Sequence, residues 1–235
     1  MAPKPAPPDC WLPAPPGLER DEAHVYWLGD FAFPVSVTGV LQAGKSPLAL
    51  DAIASTRPQW ESRGTTVHLA LQLAASNPDW DVNDNPSCWP FLAWIEPLLG
   101  HSIWRSVEVI ASELPLHQID HHGGLSVAGT CDLAWQIPGT TSDLHGGPRR
   151  SLVELKTQAQ ADSTPYDTRP QLGGYLALAA HHGLVFDSAV TIWARPGHTR
   201  LITHDVPDCL AAWQLALDRF IASGQAAWPR SGAPP

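Results

Sequence analysis

Gly129-Thr130-Cys131-Asp132, Val153-Glu154-Leu155-Lys156-Thr157 and Gln171-Leu172-Gly173-Gly174-Tyr175 follow one another along the chain, and their reading decides the fold. The first two are apolar runs that each carry a carboxylate. Side chains alternate along a strand, so Glu154 and Lys156 share one face and Leu155 points to the other. If the two runs pair, Asp132, Glu154 and Lys156 converge at one edge of a sheet. Asp132 lies within an apolar run and Glu154 between Val153 and Leu155. A lone buried charge is costly unless it is paired or bound to metal, which weighs against a plain surface acid. Two carboxylates suit a hard cation such as Mg²⁺. A lysine beside them can orient a water and offset charge building on a phosphate. The plain alternative for Lys156 is a strand-end lysine whose stem reaches solvent.

At these residues the chain resembles the PD-(D/E)XK nuclease superfamily, in its RecB-like branch. Further blocks follow in the family order. Residues 33–41 (Phe-Pro-Val-Ser-Val-Thr-Gly-Val-Leu) resemble the opening helix, and 63–68 (Arg-Gly-Thr-Thr-Val-His) the segment that presents a metal-ligating histidine. Val107-Glu108-Val109 resembles the glutamate-bearing strand, with Glu113 a nearby alternative. Gln171 and Tyr175 match the Gln-x-x-x-Tyr helix. Glu-x-Lys alone is weak; in order with the other blocks it is a strong signal. Within the branch the chain is similar to phage-type nucleases and to the mitochondrial genome maintenance exonuclease.

The resemblance implies an α/β fold with a restriction-endonuclease-like core, a mixed central β-sheet flanked by helices. It implies a metal-dependent nuclease acting on DNA, an exonuclease in DNA repair, recombination or phage-type processing. Asp132 and Glu154, with the Leu155 carbonyl and His68, would hold one or two Mg²⁺ or Mn²⁺ ions; imidazole favours Mn²⁺ alongside Mg²⁺. Lys156 would position the attacking water. Gln171, Tyr175 and Glu108 would position the substrate. Some relatives hold an Fe–S cluster with three cysteines grouped near the carboxyl end. Here the cysteines stand at 10, 88, 131 and 209, so no cluster is expected.

The length, 235 residues, suits one domain with tails, and 44% hydrophobic content suffices for a sizeable core. The Ala/Pro-rich ends read as disordered or extended tails, over residues 1–20 and 224–235, around a nuclease domain at 21–223. Nothing resembles a signal peptide or a membrane span, so a cytoplasmic protein is expected. Scattered cysteines without a Cys-x-x-Cys pair fit a reduced chain.

The net charge of −9, from 14 basic and 23 acidic residues, opposes strong non-specific DNA binding. Weak, metal-dependent affinity for single strands or duplex ends is expected, or a protein partner that delivers the substrate. Arg105, Arg149, Arg150, Arg169, Arg195 and Arg200 are the candidate contacts besides Lys156. The same charge favours the alternative of a non-catalytic DNA-binding or adaptor module. Of the 11 tryptophans, Trp135, Trp193 and Trp213 sit in apolar runs and read as core. Trp60, Trp80 and Trp89 have polar surroundings and are candidate stacking platforms.

A P-loop pattern, G-x-x-x-x-G-K-S, runs from Gly39 to Ser46. It opens a third alternative, a nucleotide-binding protein. Val40 and Leu41 fit a helix better than a phosphate nest. His121-His122 and His181-His182 lack cysteines at zinc-ligand spacing and read as a loop and a helix end. Locally, Ser36 caps a helix towards Leu50, and Thr65 or Thr66 caps another, with His68 in its first turn, that ends near Asn77-Pro78. Strands are expected over 106–116, 125–137, 152–156, 185–194 and 199–205, with helices over 90–99, 171–182 and 209–223. The Gly/Pro/Ser-rich stretch 137–150 reads as a hairpin insertion.

Overall fold

The computed structural model describes residues 2–6, 8–120, 124–139 and 147–224. Three short strands come first: β1 (Leu18–Arg20), β2 (Tyr26–Leu28) and β3 (Phe31–Ala32), which form their own antiparallel sheet. Then follow β4 (Val35–Ser36), α1 (Val37–Ala43), α2 (Pro47–Ser76), α3 (Leu92–Leu99), β5 (Glu108–Gln118) and β6 (Val127–Ile137). β7 (Arg149–Thr157), α4 (Arg169–His181), β8 (Ser188–Arg195), β9 (His198–His204) and α5 (Val206–Ala222) complete the chain. The fold is α/β, with a six-stranded mixed sheet flanked by helices. β7 and β8 run parallel, β8 and β9 form a hairpin, and β6 pairs antiparallel with both β5 and β7.

One edge of β6 is shared. β4 pairs with it in parallel at Val127 and Ala128, and β7 pairs with it only from Leu133 onward. Residues 129–132 therefore face a notch between two partner strands. Glycine begins this notch because a Cβ at Gly129 would stand 2.8 Å from Tyr175 Cε1. Gly129-Thr130-Cys131-Asp132 is thus the place where the sheet parts.

Each face of the sheet has its own core. Val37 and Val40 of α1, Leu172, Leu176 and Leu178 of α4 and Trp213 and Phe220 of α5 pack on Leu114, Leu116 and Leu152. Val67, Ala70 and Leu71 of α2 and Ile95 and Leu98 of α3 pack on Leu133, Trp135, Val153, Leu155 and Ile192. Trp135, Trp193 and Trp213 are buried, in line with their apolar runs. Gly173 and Gly174 let α4 lie directly on its neighbours. A Cβ on Gly173 would meet the Cys209 carbonyl, and one on Gly174 would stand 2.7 Å from Val37 Cγ1.

Two local expectations are corrected. α2 does not begin at Thr65 or Thr66. It starts at Pro47, where Ser46 accepts the Ala49 amide, and passes through Pro58 to Asn77. Ser46-Pro47 is the stronger start, since proline at the first position forfeits an N–H that has no helical partner anyway. His68 consequently stands in mid-helix. α1 is correctly capped by Ser36, which accepts the Gly39 amide, but it ends at Gly44 instead of continuing.

The amino-terminal stretch, read from composition as a tail, is docked, and Pro8–Cys10 within it is a 3₁₀ turn. The Val109 amide donates to the Lys4 carbonyl, and the Ala6 and Leu12 amides donate to the Val109 and Ile110 carbonyls. Ala6 and Leu12 are buried. Polyproline-like chain keeps its backbone groups unpaired and can lend them to a sheet edge. Leu18–Arg20, also assigned to the tail, is β1. Residues 225–235, the 140–146 part of the hairpin insertion and His121-His122 lie outside the described residues.

Candidate metal-dependent hydrolytic site

Asp132 stands at the notch, where β6 has lost β4 and not yet met β7. Its Oδ2 accepts the Leu155 amide at 2.7 Å. Leu155 therefore joins the site through its backbone, while its side chain is in the core. Asp132 Oδ1 is 3.2 Å from His68 Nδ1, delivered by α2. Burial alone would raise the Asp132 pKa, but the imidazole beside it reverses this and holds it below its usual value. Burial disfavours the His68 cation; Asp132 outweighs that and leaves its pKa raised.

Glu154 and Lys156 share a face, as strand alternation requires. Lys156 Nζ donates to Glu154 Oε1 at 2.7 Å, with side chains 17% and 4% exposed. Gln171 Nε2 donates to the same oxygen at 2.6 Å and lies 3.1 Å from the Tyr175 hydroxyl. Gln171 and Tyr175, one helical turn apart on α4, thus brace Glu154. Burial, and then the Asp132 charge, push the Glu154 pKa from 4.5 up to about 7. Lys156 is disfavoured as a cation by burial, but Glu154 more than compensates and raises its pKa.

These groups line a cleft of about 570 Å³ together with Glu113. Glu113, between the register pairs Ser112↔Leu133 and Leu114↔Cys131, lies level with Asp132. Its φ of +49° is in the left-handed region. Such a conformation costs roughly 1–2 kcal/mol in a non-glycine residue and is concentrated at functional sites. Burial raises its pKa, and Asp132 adds to this. Glu108 is not part of the site. It sits at the far end of β5, opposite Gln136, whose amide donates to it at 3.3 Å. Glu113, not Glu108, is the glutamate that the fold brings to Asp132. Glu108, which fits the spacing of the resembled family better, stands five residues away along β5, beyond the register irregularity between Val109 and Ala111.

The donor set fits a hard divalent cation. Among the described residues no group of three His, Cys, Asp or Glu side chains is already arranged around a metal position. Asp132 and one Glu154 oxygen are engaged by protein donors. Glu154 Oε2 is buried and has no hydrogen-bond partner among the described residues. A buried carboxylate oxygen left so is expensive unless a cation takes it.

Several site residues escaped sequence reasoning. Arg20 and His24, from the segment around β1, line the cleft, as do Arg57 and Glu61 of α2; Trp60, already a stacking candidate from its polar surroundings, joins them. Trp60 is 39% exposed at this wall. Trp89 is exposed but lines neither large cleft, and Trp80 packs on the core. Of the arginines singled out by position, Arg169 is paired with Asp167, and Arg195 is buried against Gln158 and the Ala161 carbonyl. The P-loop pattern is not a phosphate nest: Val37–Ala43 is helical and the Gly39 amide is spent on Ser36. His181 ends α4 and His182 caps it, as expected of that pair.

No family model matches the chain, and no curated protein matches it. A solved structure titled "Crystal structure of SSO0001" is similar at 14% identity and a TM-score of 0.39, over 80% of this chain and 76% of that one. A likeness that distant leaves function to the chemistry of the site. No helix among the described residues is long and apolar enough to cross a membrane.

Proposed function

We propose that this chain is a metal-dependent nuclease with a restriction-endonuclease-like core, hydrolysing DNA phosphodiester bonds as an exonuclease. One observation carries the reading. Glu154 is buried with one oxygen saturated by Lys156 and Gln171 and the other without a donor among the described residues, beside a second carboxylate, Asp132. Asp132 and Glu154, supported by Glu113 and His68, would hold Mg²⁺ or Mn²⁺. A bound cation would supply Lewis-acid stabilisation of the phosphate and the leaving oxygen. Lys156, kept charged by Glu154, orients the attacking water and offsets negative charge on the phosphate. Gln171 and Tyr175 hold Glu154 in place. To serve as a ligand His68 would have to be neutral. The exonuclease preference follows the sequence resemblance alone.

The test is cleavage of end-labelled and circular DNA, single- and double-stranded, with Mg²⁺, Mn²⁺ or EDTA, beside Lys156→Ala. Metal-dependent loss of linear but not circular DNA, absent in the variant, is the expected result. Nicked circles would make the protein an endonuclease. No cleavage of any substrate would favour the non-catalytic module that the net charge of −9 suggests.

A further inference from the structure

A second cleft, of about 850 Å³, adjoins the first. Thr38, Trp60, Lys156 and Gln171 line both, so the two meet where Lys156 stands. Their charge balance differs. The first holds Glu61, Glu113, Asp132 and Glu154 against Arg20, Arg57 and Lys156, with Glu61 paired to Arg57. The second holds Lys45, Arg63, Lys156 and Arg219, and Asp167, the one acid among its described lining residues, is engaged by Arg169 at 2.9 and 3.0 Å. Arg63 is buried, with its guanidinium over the Trp94 ring, which leaves Lys45 and Arg219 as the exposed cations. Two aromatic rings also face this space. Trp60 is 39% exposed and Tyr166 59%, the latter braced edge-on against Trp193 at 4.8 Å. Two partly exposed rings beside exposed cations, in a chain of net charge −9, suit a ligand with both phosphates and flat apolar faces.

We propose that the second cleft binds single-stranded nucleic acid, holding the strand that flanks the scissile phosphate. Lys45 and Arg219 contact its phosphates, and Tyr166 and Trp60 stack on its bases. The assignment of the flank rests on the nuclease reading of the first cleft. Stacking requires bases whose faces are free, and a paired duplex does not offer them. Continuity through the wall that carries Lys156 places the bound strand in line with the carboxylates. Lys45 thereby acquires a role that its P-loop-like surroundings do not supply.

The test is fluorescence anisotropy of a labelled oligothymidylate and of a blunt duplex, with Ca²⁺ or EDTA so that binding is read without cleavage. The proteins are wild type, Lys45→Glu/Arg219→Glu, Tyr166→Ala, Tyr166→Phe and, as a charge control away from both clefts, Lys4→Glu. Thermal midpoints verify folding. The double charge reversal should flatten the log–log salt slope by about 1.4, at about 0.7 per phosphate contact on a single strand. Tyr166→Ala should weaken binding by about tenfold, within the range of one base–aromatic stack, and Tyr166→Phe should restore it. Lys4→Glu should leave binding unchanged. Wild-type affinity in the folded cleft variants, or equal preference for duplex, would overturn the proposal. Inactive wild type that still binds the oligonucleotide through these residues would sink the nuclease reading and keep the binding site.

Discussion

Asp132 reaches across the notch in the sheet and takes the Leu155 amide at 2.7 Å, in the interval where β6 and β7 no longer pair. One side chain thus closes a break in the hydrogen-bond ladder and supplies a carboxylate to the cleft. Asp132→Ala removes both. It should abolish metal-dependent cleavage and destabilise the fold by about 1–3 kcal/mol, the cost of an unsatisfied buried group. Asp132→Asn keeps an acceptor for Leu155 and should lose activity with a smaller loss of stability. Denaturant unfolding beside the cleavage assay separates the two.

Glu154 predicts an unusual pH profile for the metal-free protein. Its folded pKa is raised from 4.5 to about 7. The folded state therefore holds a proton that the unfolded chain has released, and this contribution to stability is present below 4.5 and lost as pH rises through about 7. The slope within that window is at most about 1.4 kcal/mol per pH unit. His68, also raised, acts in the same direction. Thermal midpoints without divalent cation should fall across this window in wild type relative to Glu154→Gln. Mg²⁺ should recover more stability above it than below. A parallel pair of profiles would remove the prediction.

Glu113 and Glu108 should behave oppositely. Glu113→Ala should cut cleavage by at least about tenfold, as loss of a positioned charge at a reacting phosphate does. Glu108→Ala should stay near wild type. Glu113→Gly relieves the positive φ and should be more stable than Glu113→Ala by about 1 kcal/mol while equally inactive. Wild-type activity in Glu113→Ala with loss in Glu108→Ala would return the assignment to Glu108.

Gly173→Ala tests how α4 is held. The added methyl would overlap the Cys209 carbonyl and lie 2.8 Å from Trp213 Cβ, with backbone that cannot swing aside. A loss of about 3 kcal/mol is expected, at the upper end of typical overpacking costs. Since α4 carries Gln171 and Tyr175, activity should fall with it even where the variant stays folded. An unchanged thermal midpoint would contradict the packing described.

Sequence by itself determined the parts whose signal is local and periodic. Period-two alternation put Glu154 and Lys156 on one face and Leu155 in the core. A four-residue spacing put Gln171 and Tyr175 on one side of a helix. Apolar runs identified Trp135, Trp193 and Trp213 as core. Tertiary structure decided what depends on segments remote in the chain. Thr65 and Thr66 are good caps, yet α2 continues through them because residues 67–75 bury against the sheet and Ser46-Pro47 begins the helix earlier. Glu113 comes level with Asp132 only through the register in which β5 and β6 pair, and its backbone is left-handed there. Lys45, Trp60, Tyr166 and Arg219 come from four separate places in the chain, and no spacing rule joins them. Composition called the amino terminus a tail because it could weigh proline content, but not the open edge of β5 on which that segment docks.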